Sequence, residues 1–176
     1  MAAACQGNET SFRTLWETFQ PRLVRFLRAR GADSPDDVAA DTWLHVIRGL
    51  PQFSGDGAKF RSWLFTIARN QAIDAARRQE RRPLTGGDLT ATDLAAPDDP
   101  AREALDSLSL DRVIGLLRTL PADQAEAVAL RVVAGLGVRE TAQVLGKSEG
   151  AVRVSAHRGL RRLAAQVTDA ESAVTQ

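Results

Sequence analysis

Cysteine is almost absent from this chain of 176 residues, which contains only Cys5. A single cysteine excludes an internal disulfide framework and a zinc cluster built within one chain. No stretch approaches the roughly 20 apolar residues that a membrane-spanning helix needs. We therefore expect a protein of the reducing cytoplasm that has no membrane partner.

Aromatic residues are missing from the second half of the chain. All of them precede residue 66: Phe12, Trp16, Phe19, Phe26, Trp43, Phe53, Phe60, Trp63 and Phe65. Aromatic rings hold unstacked nucleic-acid bases. If both halves bind nucleic acid, only the first half can stack on exposed bases, and the second must read duplex edges and phosphates.

The formal net charge is only +1, but its distribution is uneven. Residues 1–82 carry 13 Lys/Arg against 9 Asp/Glu, a net of +4, and residues 107–176 carry 9 against 7, a net of +2. Residues 83–106 carry 1 against 6, a net of −5. Two basic blocks that flank an acidic connector are compatible with nucleic-acid binding by the flanks.

Apolar residues recur at helical spacing nearly throughout, without a strand pattern or a repeat. The predicted helices are 11–30, 35–48, 59–81, 103–119, 122–134, 138–145 and 148–164. Pro, Gly, Thr and Asp dominate residues 83–100, a composition that does not fold alone. We predict an all-α fold of two small helical domains, 1–82 and 107–165, joined by a flexible acidic linker, 83–106, and followed by a tail, 166–176.

The second domain contains a helix-turn-helix pattern in "VRETAQVLGKSEGAVRVSAHRGLRR", residues 138–162. Ala142 is small where the helices cross, Gly146 suits a turn with positive φ, and Val152 is apolar inside the second helix. The exposed side of that helix supplies candidates for duplex recognition: Ser148, Glu149, Arg153, Ser155, His157 and Arg158. The alternative is a packed helical hairpin whose arginines are merely solvated.

The first domain contains a helix with an unusual polar stripe. Trp63, Thr66, Asn70 and Arg77 share one face of the predicted helix 59–81, and Lys59 and Arg61 add positive charge. An aromatic ring with cations along the backbone is typical of single-strand binding. The alternative is that Trp63 belongs to the core and the arginines are solvated.

These two segments resemble a known family. "DDVAADTWLHVIRGLPQFSGDGAKFRSWLFTIARNQAIDAARR" (36–78) is similar to region 2 of the extracytoplasmic-function sigma factors of bacterial RNA polymerase. "LRTLPADQAEAVALRVVAGLGVRETAQVLGKSEGAVRVSAHRGLRRL" (117–163) resembles their region 4. Their order and the acidic linker between them also fit, and the resemblance covers about residues 11–165.

The resemblance implies roles for both segments. The helix 59–81 and the loop 52–60 before it, which includes Phe53, would capture the non-template strand of the promoter −10 element as it melts. The resulting −10 candidates are Phe53, Lys59, Arg61, Trp63, Thr66, Asn70 and Arg77. The helix-turn-helix would read the −35 element as duplex. Val154 and Ser155 depart from the common family pattern, so the −35 sequence does not carry over.

The resemblance also implies protein partners. The helix 36–48 would dock on the clamp of the largest polymerase subunit, with Asp37, Asp41, Thr42 and Arg48 as candidate contacts; the flap of the second largest subunit is a further partner. The linker acids Asp88, Asp93, Asp98 and Asp99 would run through the polymerase, unless the linker is only a solvated tether. An anti-sigma factor is a further candidate partner.

The leading function is therefore a sigma factor that binds core RNA polymerase, directs it to promoters and nucleates melting. The alternative is a helix-turn-helix regulator that acts on operator DNA without polymerase, which leaves the helix 59–81 unexplained. An enzyme is not expected, because the sequence offers no metal cluster, no Gly-rich phosphate loop and no Ser/His/Asp set. We expect no cofactor, no metal and no small-molecule substrate.

Overall fold

The computed structural model describes residues 1–80 and 112–174, with side chains through residues 79 and 166. The predicted linker 83–106, with its four aspartates, and the start of the helix predicted near 103–119 lie outside these residues. In the described ranges the chain is helical and contains no strand, which confirms the all-α class. No helix described here is both long enough and apolar enough to cross a membrane.

The helices follow the predicted order closely. Their bounds are α1 Ala2–Cys5, α2 Glu9–Ala29, α3 Pro35–Gly49, a 3-10 turn Leu50–Gln52, α4 Gly57–Glu80, α5 at residues 112–118, α6 Ala122–Val128, a π turn Ala129–Val133, α7 Val138–Leu145 and α8 Glu149–Val174. Helix α8 continues well beyond residue 164, where the prediction ended it. Residues 160–174 contain neither Gly nor Pro and several alanines, so nothing local ends the helix there.

Helices α2, α3 and α4 bury their apolar stripes against one another. Phe26, Phe60 and Phe65 are fully buried in this core. The rings of Phe26 and Phe65 meet edge to face with their centroids 5.3 Å apart, which joins α2 to α4. Trp43 of α3 donates its indole N–H to Gln20 Oε1 of α2 at 2.7 Å, so the polar atom of a buried ring is satisfied.

Helices α6, α7 and α8 form the helix-turn-helix unit that the sequence predicted. Gly146 has φ +62° and ends α7 in the left-handed conformation. Ala142 and Val152 are buried at the crossing of the two helices. Each of these three residues lies where the pattern placed it, because the turn and the crossing depend on residues only a few positions apart.

The two helical units pack against each other, which the sequence analysis did not predict. Helix α4 contacts α7, and α2 contacts the π turn. Buried residues of both units, among them Leu23, Leu64, Leu130 and Val144, belong to one continuous apolar cluster. The candidate single-strand helix and the first helix of the helix-turn-helix are therefore neighbours in this structure.

Candidate nucleic-acid interface

Helix α4 begins at an aspartate cap. Asp56 Oδ1 accepts a hydrogen bond from the backbone N–H of Lys59 at 2.8 Å. This bond is the main reason that the pKa of the exposed Asp56 carboxyl lies below its ordinary value, because it favours the charged form. The cap fixes the point where the loop 53–56 turns into the candidate helix.

Trp63 lies in an aromatic cluster beside that loop. Its ring stacks on Phe53, with centroids 5.0 Å apart and planes inclined by 22°. Phe60 meets the same indole more steeply, at 6.0 Å and 65°. A Cβ atom at Gly49 would lie only 2.7 Å from Trp63 Cζ2, so the end of α3 closes on the ring edge. Trp63 is half-buried, with one face covered by Phe53.

The rest of the predicted stripe is more accessible. Asn70 and Arg77 are exposed, as is Lys59 at the start of the helix. Thr66 is half-buried, and its hydroxyl donates to the carbonyl of Ser62 at 2.7 Å. The helix therefore places a tryptophan, an amide and an arginine along one side, as the spacing predicted, with Lys59 exposed at its start.

Arg61 has a partner in the other helical unit. Its guanidinium bonds to Glu140 Oε1 of α7 at 2.8 Å, with 35% of the Arg61 side chain and 11% of the Glu140 side chain exposed. Glu140 also accepts the backbone N–H of Gly137, which stabilises the start of α7. In this conformation Arg61 is thus occupied by the helix-turn-helix unit.

Helix α8 presents the predicted duplex-reading residues around its first turns. Ser148 caps it by accepting the backbone N–H of Ala151 at 3.2 Å. Glu149 and Arg153 form an exposed pair at 2.8 Å, while His157 and Arg158 are exposed. Recognition helices of helix-turn-helix proteins enter the major groove with their N-terminal turns, and Arg153 and Arg158 give this exposed side positive charge.

Ser155 lies differently from its neighbours on α8. It is half-buried, and its hydroxyl donates to Asp123 Oδ2 of α6 at 3.1 Å. The adjacent Val154 is instead 48% exposed. The sequence pattern selected the serine for its polarity and passed over the valine, although helical periodicity alone places Val154 away from the buried Val152 and Ala156.

Helix α3 corrects one predicted contact. Thr42 is fully buried, and its hydroxyl donates to the carbonyl of Val38 at 2.7 Å, so its side chain is not available to a protein partner. Asp37, Asp41 and Arg48, the other candidate contacts, are exposed.

Two residues of the same helix were missed. Leu44 and Ile47 are each 49% exposed beside Asp41 and Arg48. Asp37, Asp41, Leu44 and Arg48 recur at spacings of four, three and four, which places them on one helical face. Counting that period would have found Leu44, whereas Ile47 does not fall on it.

Two further features lie away from the candidate DNA-binding residues. An apolar groove of about 640 Å³ is lined by residues that include Cys5, Phe12, Trp16 and Ile47. Among the residues whose positions are described, no three His, Cys, Asp or Glu side chains come together as a metal site would require.

Comparison with known proteins identifies both units. Residues 15–82 match the family model of sigma-70 region 2, and residues 110–163 match that of sigma-70 region 4. The chain is 36% identical to the ECF RNA polymerase sigma factor SigD of Mycobacterium tuberculosis, over 97% of this chain and 83% of that protein. The chain belongs to the ECF sigma factors. ShbA of Streptomyces griseus, another ECF sigma factor, is 34% identical, over 92% of this chain and 90% of its own length.

Solved structures share this fold. CnrH, in complex with the cytosolic domain of CnrY, superposes with a TM-score of 0.70 at 27% identity, covering 96% of this chain and 94% of CnrH. RpoE of Bartonella quintana, in complex with the anti-sigma factor NepR, has the same fold, with a TM-score of 0.66 at 22% identity over 90% of this chain and 97% of RpoE.

As an ECF sigma factor, the chain is a polymerase-binding, DNA-binding factor of transcription initiation. Region 2 contains α3 and α4, and region 4 contains α6, α7 and the first part of α8. The alternative of a helix-turn-helix regulator that acts without polymerase is not favoured, because it accounts for region 4 alone.

Proposed function

We propose that this sigma factor uses α4 to capture the melted −10 strand and α8 to read the −35 duplex. The observation that carries the proposal is the contrast between the two helices. Helix α4 joins an aromatic cluster to cations, which suits unstacked bases. Helix α8 has arginines and no aromatic residue, which suits groove edges and phosphates.

The −10 site centres on Trp63 and the capped loop before it. A base expelled from the duplex costs a few kcal/mol, and stacking in a shaped pocket recovers that cost. Phe53 holds the indole on one side, so the ring is oriented before DNA arrives. Asn70 can hydrogen-bond a base edge, while Lys59 and Arg77 follow the backbone.

The −35 site comprises Ser148, Glu149, Arg153, His157 and Arg158. An exposed ion pair is worth little in water, so Arg153 can exchange Glu149 for a guanine edge or a phosphate at small cost. Ser155 can join the site once it gives up its hydrogen bond to Asp123.

The polymerase site is the exposed face of α3. Asp37, Asp41 and Arg48 supply charge, and Leu44 and Ile47 supply the apolar centre that protein interfaces require. We propose the clamp of the largest subunit as its partner and the flap of the second largest subunit as the partner of region 4. An anti-sigma factor is proposed as a further partner.

Binding both promoter elements requires the two regions to separate. Elements centred at −10 and −35 lie about 25 base pairs apart, roughly 85 Å at 3.4 Å per base pair. In the closed arrangement α4 and α7 are in contact, and Arg61 is paired with Glu140. The contacts between the two regions must therefore break when the factor occupies a whole promoter.

The factor works in the cytoplasm, where core polymerase is found. It gives the polymerase promoter specificity and has no enzymatic activity of its own. It needs no cofactor, metal or small-molecule substrate for this task.

Reconstitution tests the proposal directly. The purified chain is mixed with bacterial core polymerase, the complex is isolated, and transcripts started from fragmented genomic DNA of the source organism are sequenced. We expect defined start sites that share two upstream elements. If the folded chain fails to bind core polymerase in the absence of an inhibitor, the alternative function, an operator-binding regulator, would be favoured.

Trp63→Ala tests the −10 site. We expect core binding to be unchanged and promoter opening to weaken by about 1–3 kcal/mol, the worth of one base–aromatic stack. Trp63→Phe keeps a ring and should retain most of the activity. If Trp63→Ala fails to fold or to bind core polymerase, Trp63 serves only to pack the hydrophobic core.

A further inference from the structure

Val154 and Leu160 are the two large apolar side chains that are exposed on the part of α8 whose side chains are described, and Val154 lies nearer the start of the helix. It is 48% exposed, although α8 buries Val152 completely and Ala156 almost completely. The buried side of the helix is thus already filled, and Val154 is exposed because of its place on the helix. An exposed valine among the arginines of a DNA-reading helix contributes nothing to the core.

Helical geometry places Val154 on the DNA-facing stripe. Ala151, Val154, Arg158 and Arg161 recur at spacings of three, four and three, and all four are exposed. Ala151 and Val154 therefore form a small apolar patch, with Arg158 following on the same stripe. While Ser155 keeps its hydrogen bond to Asp123, its side chain leaves this patch uncovered.

The major groove offers one apolar group that matches this patch. Thymine carries a C5 methyl group there, whereas the edges of the other bases present hydrogen-bond donors and acceptors that valine cannot satisfy. A β-branched side chain in a helix is held in one preferred rotamer, so little entropy is lost when it is buried.

We propose that Val154 reads the C5 methyl group of a thymine in the −35 element. The proposal rests on the −35 role of α8 and adds the identity of one base to it. The flanking cations, Arg153 and Arg158, hold the helix in the groove, and Val154 supplies discrimination by apolar contact.

The test removes single methyl groups from the DNA. Holoenzyme is assembled from core polymerase and the full chain, and the −35 element is taken from the promoters found by reconstitution. Each thymine of that element is replaced in turn by deoxyuridine, which lacks only the C5 methyl group. We expect one replacement to weaken binding about three- to fivefold, the effect of leaving one methyl group unburied.

Two variants assign the effect to the side chain. Val154→Ser should bind the thymine and deoxyuridine duplexes equally well, because it has lost the apolar partner of the methyl group. Leu160→Ala is the matched control: Leu160 is 46% exposed on another side of α8 and should leave the discrimination intact. Circular dichroism checks that both variants keep the helical content of the parent chain.

The outcomes separate this inference from the proposed function. A −35 element without thymine, equal binding after every replacement, or discrimination that persists in Val154→Ser would each overturn the role of Val154 and leave the sigma-factor function standing. A holoenzyme that starts transcription at no defined promoter would overturn the −35 role of α8, and the thymine reading with it.

Discussion

At the scale of single residues, Gly49 and Trp63 show how closely region 2 is packed around its candidate base-binding ring. Gly49 is the last residue of α3, where alanine would ordinarily favour the helix. A Cβ atom there would approach Trp63 Cζ2 to 2.7 Å. Steric contact with the ring therefore outweighs helix propensity at this position.

Gly49→Ala should lower the free energy of unfolding by about 1–3 kcal/mol, the usual cost of overpacking. Gly57→Ala is the matched control, because a Cβ at Gly57 would meet no atom within 4 Å; we expect its stability to change by about 0.5 kcal/mol or less. Urea unfolding measures both variants. Equal stabilities would mean that Trp63 moves aside without cost.

Asp56 caps α4 at the loop that precedes Trp63. The pKa of its carboxyl is lowered, chiefly by the N–H of Lys59. The charged form therefore stabilises the fold above the ordinary aspartate pKa of about 3.9, and this contribution is lost as the pH falls through the lowered value. Asp56→Ala should lower Tm at pH 7, whereas Asp56→Asn, which also caps, should lower it less.

The pH dependence provides the check on that prediction. The difference in Tm between the parent chain and Asp56→Ala should shrink as the pH is lowered below about 4, because the parent carboxylate becomes protonated. A difference that stays constant down to pH 2 would show that the charge of Asp56 is not what stabilises α4.

At the scale of elements, α8 combines a structural and a recognition role along its length. Its inner side packs on α6, where a Cβ at Gly159 would lie 2.8 Å from Val128 Cγ2. Its outer side carries the exposed arginines. Since the inner side fixes the rotation of the helix, it also decides which residues face DNA.

Arg153→Ala should weaken binding of holoenzyme to the −35 duplex by about 1–3 kcal/mol and relax the preference at one base pair, if Arg153 reads a base. Arg158→Ala serves as the comparison: a phosphate contact there would weaken binding to all sequences and reduce the salt slope by about 1. If the affinity of Arg153→Ala is unchanged, another residue of α8 makes the base contact.

At the scale of the whole molecule, Glu126 of α6 joins the two regions. Its carboxylate oxygen Oε1 accepts a hydrogen bond from Arg69 Nε of α4 at 2.7 Å. The same carboxylate forms an ion pair with Arg30 at the end of α2. Only 12% of the Glu126 side chain is exposed, against 22% for Arg30 and 27% for Arg69. Without this carboxylate, two half-buried guanidinium groups would lose their partner.

Glu126→Ala should therefore lower the free energy of unfolding by about 1.5–3 kcal/mol, the range for hydrogen bonds to charged groups. Asp36→Ala is the control, because Asp36 pairs with Arg28 at 3.9 Å on the open surface; its loss should cost about 0–1 kcal/mol. Denaturant unfolding of both variants checks the difference, and equal costs would mean that the buried pairs do not stabilise the closed arrangement.

Local patterns in the sequence were enough to predict the helices, the helix-turn-helix and the aromatic, basic character of α4. Each of these depends on residues within a few positions of one another: Gly146 must turn, Ser148 must cap, and Trp63 and Asn70 share a face by helical spacing. The prediction ended α8 too early, at residue 164, although no residue near that position carries a stop signal.

The partners of those residues depend on three-dimensional packing. Arg61 and Glu140 are 79 positions apart, and Arg69 and Glu126 are 57 apart, so no local rule could pair them. The burial of Thr42 and the exposure of Val154 likewise follow from how each helix is rotated against its neighbours. The position of a helix in the sequence depends on nearby residues, whereas long-range apolar contacts determine which side of the helix is covered.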